Sequence, residues 1–461
     1  MEVEMSAASG AAVPFDVADW VPMRWPRGWR EPSLLRLIEN TAVNCLVVDW
    51  DARARAELGP VASAARQAGL AVVGLVSGEA DAGDVGSSMG VRVIRRSPHA
   101  RPPAAPDPLA LAFTDCVWPS ISLGLRGSGD RVSAGPTGVP WVDSNGWFIL
   151  LARALAPVKP VWIVAEPPEK NTVLPVEASL LAVADAAAYG ARWVISLSQD
   201  HSRCLASADS EALASWKRIA GSVAFFEKHR EWRSFRPVAA LGVLSDFSGA
   251  NETTSCEVLN LLRRRNVGFH ILDKARPDAI PKQGLRAIVY ADADAPKPEL
   301  REKLLEFVKA GGLLVFPTAA SSLVGGMPLP DQVYFGFEVR GLGKGRVAVP
   351  REDVDDPYIL ATTAHLLLSR RNDVVRTWNG SPTVAYFASR TDGKQAMVAI
   401  LNYSTRAVSE MSVRVVGSYR AARLWSAESD APAPLVLIRD RVSTEIHLPP
   451  IGVCGMIELE A

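Results

Sequence analysis

The sequence has no excess of charge of either sign, no long apolar run and no regular spacing of cysteine or histidine. Fifty basic residues balance fifty acidic ones, so no net field favours nucleic acid or an anionic membrane. No apolar run reaches the roughly 18 to 20 residues that a membrane span needs. Five cysteines and six histidines show no CxxC, HExxH or HxH pattern, which argues against a disulfide framework and a zinc site. We therefore expect no metal, no other cofactor, and no nucleic-acid or membrane partner.

The N-terminal stretch MEVEMSAASG has neither a basic start nor an apolar segment, unlike a secretory signal. This predicts a cytoplasmic protein, while export stays open if a signal peptide has been removed. Apolar residues make up 48% of the chain and charged residues 22%, as in globular proteins. A chain of 461 residues is longer than one that folds around a single hydrophobic core, so we expect two or three domains.

What the sequence does contain is a series of short apolar runs through residues 1–235. They predict strands at 15–21, 44–50, 71–77, 91–95, 111–118, 138–143, 160–166 and 192–198. Their spacing is that of βα units, and GWFILLARALA and PVEASLLAVADAAAYG are amphipathic helices between the later runs. Eight units predict a (β/α)8 barrel. The loop-like GLRGSGDRVSAGPTG before the sixth run predicts a shortened or distorted version.

Two further domains follow from a change of pattern after residue 235. Residues 236–350 alternate strands and helices in a way that predicts a small flavodoxin-like α/β domain. Residues 351–461 begin with a helix at about 357–369 and continue as short alternating strands, which predict a β-sandwich.

Polar and aromatic residues cluster where several predicted strands of the barrel end, and active sites of such barrels lie at that edge. The clusters are Asp49, Trp50 and Asp51; Trp141, Asp143, Asn145 and Trp147; Trp162, Glu166, Glu169 and Lys170; and Gln199, Asp200 and His201. Carboxylates beside tryptophans suit a sugar, because indole rings stack on its C–H faces while carboxylates bind its hydroxyls. Glycoside hydrolysis itself uses two carboxyl groups that flank the scissile bond.

Each cluster also has a simpler interpretation. Asp49 and Asp51 stand where acidic residues commonly cap a following helix, and Asp143 with Ser144 and Asn145 could cap GWFILLARALA. Asp200 and His201 could be ordinary loop residues, and the tryptophans could belong to the core. Glu166 differs because the two prolines after it leave no helix to cap; its alternative is a surface-loop charge.

The order of the three parts resembles the plan of family 42 β-galactosidases. The similarity is best over residues 150–235, where PVWIVAEPPEKN, AAAYG, ARWVISLSQD and FFEKH follow one another as in the family's last two barrel units. The resemblance implies that Glu166 is the nucleophile at the end of strand seven and that the middle domain carries a trimerisation surface. The family's acid/base glutamate ends strand four, but here VRVIRRSPHA has Arg95 and Arg96 in its place.

These observations lead to one hypothesis and two alternatives. The hypothesis is a glycosidase acting on a sugar or oligosaccharide, forming a homo-oligomer (dimer or trimer), with Glu166 as nucleophile or base and Asp143 as acid. Asp49 and Asp51 are the next candidates for the acid. The substrate-binding residues would be Asp49, Trp50, Asp51, Trp141, Asn145, Trp147, Trp162, Gln199, Asp200 and His201. One alternative is an inactive carbohydrate-binding or scaffold protein that keeps the fold. The other, an amidotransferase-like enzyme using the middle domain, lacks the nucleophilic cysteine after a strand.

Overall fold

The chain folds as a mixed α/β protein in which strands and helices follow the apolar pattern. The computed structural model describes residues 17–49, 52–76, 92–96, 111–113, 116–121, 141–167, 174–276, 280, 284–318, 327–380, 382–404 and 406–461. Trp50 and Asp51, as well as Glu169 and Lys170, lie outside the described residues. No helix in these ranges is long and apolar enough to cross a membrane.

The N-terminal part is built on a seven-stranded sheet in which all neighbours are parallel. In spatial order its strands are β1 (Pro22–Arg24), β2 (Cys45–Asp49), β3 (Ala71–Val76), β4 (Arg92–Arg96), β5 (Leu111–Phe113), β8 (Val161–Ile163) and β9 (Arg192–Trp193). Every residue of β2 and β8 is buried. This is typical of parallel strands, which are covered on both faces.

Two of the eight predicted strands differ from the structure. The first run forms a 3-10 turn at Val17–Asp19, and β1 begins only at Pro22. The sixth run forms β7 (Val142–Asp143), which pairs antiparallel with β6 (Ser120–Ile121) in a separate two-stranded sheet. Since β5 pairs directly with β8, Glu166 follows the sixth strand of the main sheet that the described residues form, and its place after a seventh barrel strand stays a prediction.

The two edges of the seven-stranded sheet approach each other. One isolated parallel bridge joins Met23 to Ile195, two residues after β9. The Arg24 N–H donates to the Ile195 carbonyl at 2.9 Å, and the Ile195 N–H donates to the Pro22 carbonyl at 3.2 Å. No closed eight-stranded barrel is present among the described residues, so that part of the prediction stays a prediction.

Helices pack around this sheet, and two of them confirm the predicted amphipathic segments. They are α1 (Ala52–Gln67), α2 (Gly146–Leu155), α3 (Val176–Ala188), α4 (Gln199–Ala206) and α5 (Ser210–Lys228). The α3 helix ends where Gly190 adopts a φ of +85°, a conformation that glycine reaches without strain. Asp209 begins α5 because its carboxylate accepts the N–H groups of Glu211 and Ala212.

The middle part contains a second seven-stranded sheet, parallel over its first five strands. Its order is β12 (Phe269–Asp273), β11 (Leu241–Ser245), β13 (Ala287–Tyr290), β14 (Leu313–Val315), β17 (Gly345–Pro350), β16 (Phe337–Leu342) and β15 (Met327–Tyr334). The last two strands are antiparallel additions that the sequence did not predict. Helices α6 (Glu252–Arg264) and α7 (Pro298–Lys309) alternate with these strands, as the pattern predicted for residues 236–350.

The C-terminal part follows helix α8 (Pro357–Leu368) and consists of antiparallel strands in two sheets. The six-stranded sheet has the order β10 (Arg236–Pro237), β19 (Thr383–Ser389), β20 (Gln395–Asn402), β26 (Cys454–Glu460), β22 (Ala421–Trp425) and β23 (Ala433–Pro434). The four-stranded sheet has the order β18 (Val375–Trp378), β21 (Ser412–Val416), β25 (Ser443–His447) and β24 (Leu437–Arg439).

One large cluster of buried side chains runs through all three parts, including Met23, Leu241 and Met456. Strand β10 also pairs with the C-terminal sheet although it directly follows residue 235. The parts therefore share a core, and the boundaries at 235 and 350 stay predictions.

Candidate active site

A cleft of about 640 Å³ opens at the carboxyl edge of the N-terminal sheet. Its lining comes from the segments that follow β1, β2, β8 and β9, and from helix α4. The lining residues include Arg24–Trp29, Asp49, Glu166, Ser196, Gln199, Ser202 and Arg203. Because parallel strands end at the same edge of a sheet, residues distant in the sequence meet there.

Two carboxylates and one guanidinium form the centre of this cleft. Arg24 is the last residue of β1, and its Nε and Nη2 donate to Asp49 Oδ2 at 3.0 and 2.5 Å. Its Nη1 lies 2.6 Å from Glu166 Oε1. Arg24 is thus the shared partner of an aspartate from the end of β2 and a glutamate from the loop after β8.

The three side chains differ in their exposure to water. Asp49 is 8% exposed and Arg24 15%, whereas Glu166 is 66% exposed. Burial disfavours the charged guanidinium, but the hydrogen bonds and charges of the two carboxylates outweigh it and raise the pKa of Arg24. The contact to Asp49 is therefore a buried ion pair, while the contact to Glu166 is at the solvent boundary.

The shared guanidinium limits the distance between the two carboxylates. A guanidinium is a small planar group, and each carboxylate oxygen lies within hydrogen-bond distance of it. The contacting oxygens are therefore closer than the about 9.5 Å that separates the most distant carboxyl pairs of glycosidases. The cation between them also offsets their mutual repulsion.

Two tryptophans that the sequence analysis did not select build one wall of the cleft. Trp25 and Trp29 are nearly buried and pack edge to face, with ring centroids 5.0 Å apart. The Trp25 indole N–H donates to the Trp29 carbonyl at 2.8 Å, and the Trp29 indole N–H to the Ser202 carbonyl at 3.0 Å. These bonds fix the loop after β1 against α4. The stretch RWPRGW, directly after a strand, was the available signal.

The predicted residues at the start of α4 lie at or near the other wall. Gln199 lines the cleft, and Asp200 forms an exposed ion pair with Arg203 at 2.9 Å. Burial lowers the pKa of His201, and its Nε2 has no hydrogen-bond partner in the described structure. Of these three predicted residues, only Gln199 is among the residues that line the cleft.

The structure places the second predicted cluster elsewhere. Asp143 ends β7, outside the main sheet, and it is not among the lining residues. Trp141 is half exposed and lies under the guanidinium of Arg264, 4.5 Å from its carbon to the ring centroid. Burial lowers the pKa of Arg264, and the negative charges of Glu257 and Asp143 only partly offset this shift. Trp141 and Asp143 therefore lie beside helix α6 of the middle part.

Three other predicted binding residues are packed into the interior. Trp162 is completely buried and meets Trp20, with ring centroids 6.4 Å apart. Trp147 is half buried and packs edge to face on Phe148 at 5.5 Å. Asn145 is fully buried. It is the N-cap residue of α2, one of the three residues that could cap this helix, although its side chain makes no capping hydrogen bond.

Asn145 belongs to a buried polar network around Asp185 in helix α3. The Asp185 carboxylate accepts the backbone N–H of Asn145 at 3.0 Å and the hydroxyls of Ser144 and Tyr403 at 2.9 and 2.7 Å. Burial raises the pKa of Asp185, although these hydrogen bonds oppose the shift. A single acidic residue inside LLAVADAAA was the sequence signal for this network. It joins the N-terminal part to the C-terminal sheet.

Among the described residues of the middle part, no cysteine stands after a strand as the amidotransferase-like alternative requires. Cys256 is buried within helix α6, and burial raises the pKa of its thiol to about 12. Among the described residues, no group of three or more histidine, cysteine or acidic side chains is arranged to hold a metal ion.

Comparisons with known proteins identify the type of fold. No family model matches the chain, and no curated protein matches it. Among solved structures, α-L-fucosidase isoenzyme 2 from Paenibacillus thiaminolyticus has a TM-score of 0.53 and 11% identity, covering 92% of this chain and 78% of its own. A β-galactosidase from Bacillus circulans sp. alkalophilus has a TM-score of 0.47 and 10% identity over 88% and 67% of the two chains. A rhamnosidase from Novosphingobium sp. PP1Y has a TM-score of 0.47 and 13% identity over 88% and 38%. The similarity to the fucosidase supports a glycoside-hydrolase-like fold.

Proposed function

We propose that this protein is a glycoside hydrolase that cleaves a sugar or oligosaccharide in the cleft around Arg24. The observation that carries the proposal is the meeting of Asp49 and Glu166, from the ends of two strands of one parallel sheet. The cleft volume of about 640 Å³ lies within the range of about 300 to 1,000 Å³ that small-molecule sites occupy. The glycoside-hydrolase-like fold agrees with this assignment.

In this proposal Glu166 is the carboxylate that attacks the anomeric carbon or activates water. Glu166 lines the cleft and its side chain is 66% exposed to solvent, so a sugar can reach it. Arg24 orients the carboxylate through one contact at 2.6 Å. We retain Glu166 as nucleophile or base on these grounds.

Asp49 replaces Asp143 as our first candidate for the second carboxyl group. It lines the same cleft as Glu166 and contacts the same guanidinium, whereas Asp143 does neither. To donate a proton Asp49 must first bind one, which weakens its two hydrogen bonds from Arg24. We therefore expect substrates with good leaving groups, which need little protonation, to react fastest.

A panel of 4-nitrophenyl glycosides tests this function. We expect turnover of at least one member, and Glu166→Gln should reduce kcat at least about 100-fold, the lower range for a lost acid–base group. Asp49→Asn should reduce kcat less on these activated substrates than on alkyl glycosides, whose leaving groups need protonation. Asp143→Asn is the matched control and should keep activity within about twofold. Turnover that survives in Glu166→Gln would refute the role of Glu166. Sugar binding without turnover in the unmodified protein would instead establish the alternative of an inactive carbohydrate-binding protein.

A further inference from the structure

The C-terminal part contains a second cavity, of about 310 Å³, that shares no lining residue with the cleft. It lies where the chain leaves β23 in the six-stranded sheet and enters β24 in the four-stranded sheet. We call it the arginine groove. Its lining includes Arg420, Ala421, Arg423, Pro434, Leu437 and Arg439.

The arginine groove has more positive than negative charge. The carboxylate of Glu460 pairs with both Arg420, at 3.6 Å, and Arg423. No carboxylate in the described part of the chain lies within ion-pair distance of Arg439. Three guanidinium groups line the cavity, and among the described residues only the carboxylate of Glu460 lies within ion-pair distance of any of them.

Each guanidinium group has a partner within the protein. Arg439 Nη2 donates to the backbone carbonyl of Arg420 at 3.2 Å, and the Arg420 N–H donates to the Glu460 carbonyl at 2.7 Å. Glu460 also holds the Arg423 side chain from the neighbouring strand. These contacts restrict side chains that are 73% exposed at Arg420 and 45% exposed at Arg423, so a ligand loses less conformational freedom in binding them.

Alanine, proline and leucine residues also line the arginine groove. Arginine presents a planar fork of N–H donors that matches the oxygens of carboxylate, sulfate and phosphate groups. The volume is at the lower end of the range for small-molecule sites, which fits one sugar ring with its anionic group.

We propose that the arginine groove binds an oxyanion, either free or carried on a sugar as a sulfate, phosphate or carboxylate group. The proposal does not depend on the function of the cleft. It predicts binding that weakens as salt concentration rises, since part of the groove is open to water.

Isothermal titration of the full chain with galactose 6-sulfate, inorganic sulfate and neutral galactose tests the proposal. We expect galactose 6-sulfate to bind in low salt and galactose not to bind. Arg439→Gln and Arg420→Gln should each weaken binding about fivefold, as expected for one partly exposed ion pair. Arg406→Gln is the control, because Arg406 is an exposed arginine of the same part that does not line the groove.

The outcomes separate the two sources of the anion. Tighter binding of galactose 6-sulfate than of inorganic sulfate supports a glycan ligand, and equal binding supports a free anion. The proposal is overturned if neither anion binds, if galactose binds as well as its sulfate, or if Arg439→Gln, with an unchanged melting temperature, binds as the unmodified protein does.

Discussion

Replacing Arg24 by methionine removes the cation between Asp49 and Glu166 while keeping a long apolar side chain in its place. Asp49 is 8% exposed and would lose hydrogen bonds of 3.0 and 2.5 Å. Removal of one partner from a buried ion pair costs about 3 to 5 kcal/mol. Because water retains some access to Arg24, we expect the lower value, about 3 kcal/mol of unfolding free energy.

The same structure predicts unequal contributions from the two carboxylates. Glu166 is 66% exposed, so its pair with Arg24 should contribute about 1 kcal/mol or less. The pair with Asp49 should contribute about 2 to 3 kcal/mol, because hydrogen bonds to buried charges are stronger. Double-mutant cycles that combine Arg24→Met with Asp49→Asn or with Glu166→Gln separate the two contributions.

Urea unfolding followed by tryptophan fluorescence measures these differences. Arg203→Met is a matched control, since Arg203 lines the same cleft but is 76% exposed and pairs with an exposed aspartate. We expect it to change the unfolding free energy by less than about 0.5 kcal/mol. If Arg24→Met unfolds at the same urea concentration as this control, or if both cycles give equal coupling, the argument from burial is wrong.

Two further predictions concern the interior and use the same unfolding assay. A β-carbon added at Gly146 would lie 2.4 Å from the ring of Tyr189, so Gly146→Ala should destabilise by about 1 to 3 kcal/mol; Gly221→Ala, with nothing within 4 Å, should stabilise helix α5 by about 0.5 to 1 kcal/mol. Equal effects of the two substitutions would contradict the packing around Tyr189. Burial raises the pKa of Asp185 in the folded state, so its contribution to stability is present below its ordinary pKa of about 4 and is lost as pH rises through the raised value. Asp185→Asn should therefore gain stability relative to the unmodified protein between pH 4 and pH 8, and a constant difference across that range would refute the shift.

Much of the secondary structure follows from local sequence. The amphipathic segments became helices α2 and α3, and the alternating runs after residue 380 became antiparallel strands. These patterns are informative because burial of one helix face or one strand face repeats at short intervals. The same dependence on local pattern explains why the sixth run of the N-terminal part was placed in the wrong sheet. Val142–Asp143 has a strand pattern and does form a strand, but the pattern does not specify which neighbour it pairs with.

The candidate site was predictable only in part. Glu166 was found because a buried strand ends shortly before it and prolines follow it at once. Arg24, Trp25 and Trp29 were missed, since nothing near them in the sequence indicates what they contact. The homo-oligomer and the cytoplasmic location stay predictions.

The sequence by itself determined where strands and helices form and which acidic residues stand at strand ends. Tertiary structure decided which of those residues share a cleft. Arg24 meets Asp49, 25 positions away, and Glu166 much further along the chain. That meeting depends on the order and register of parallel strands, which arise from packing across the whole sheet. Local periodicity indicates which side chains are buried, but it does not specify which residues from distant parts of the chain come into contact.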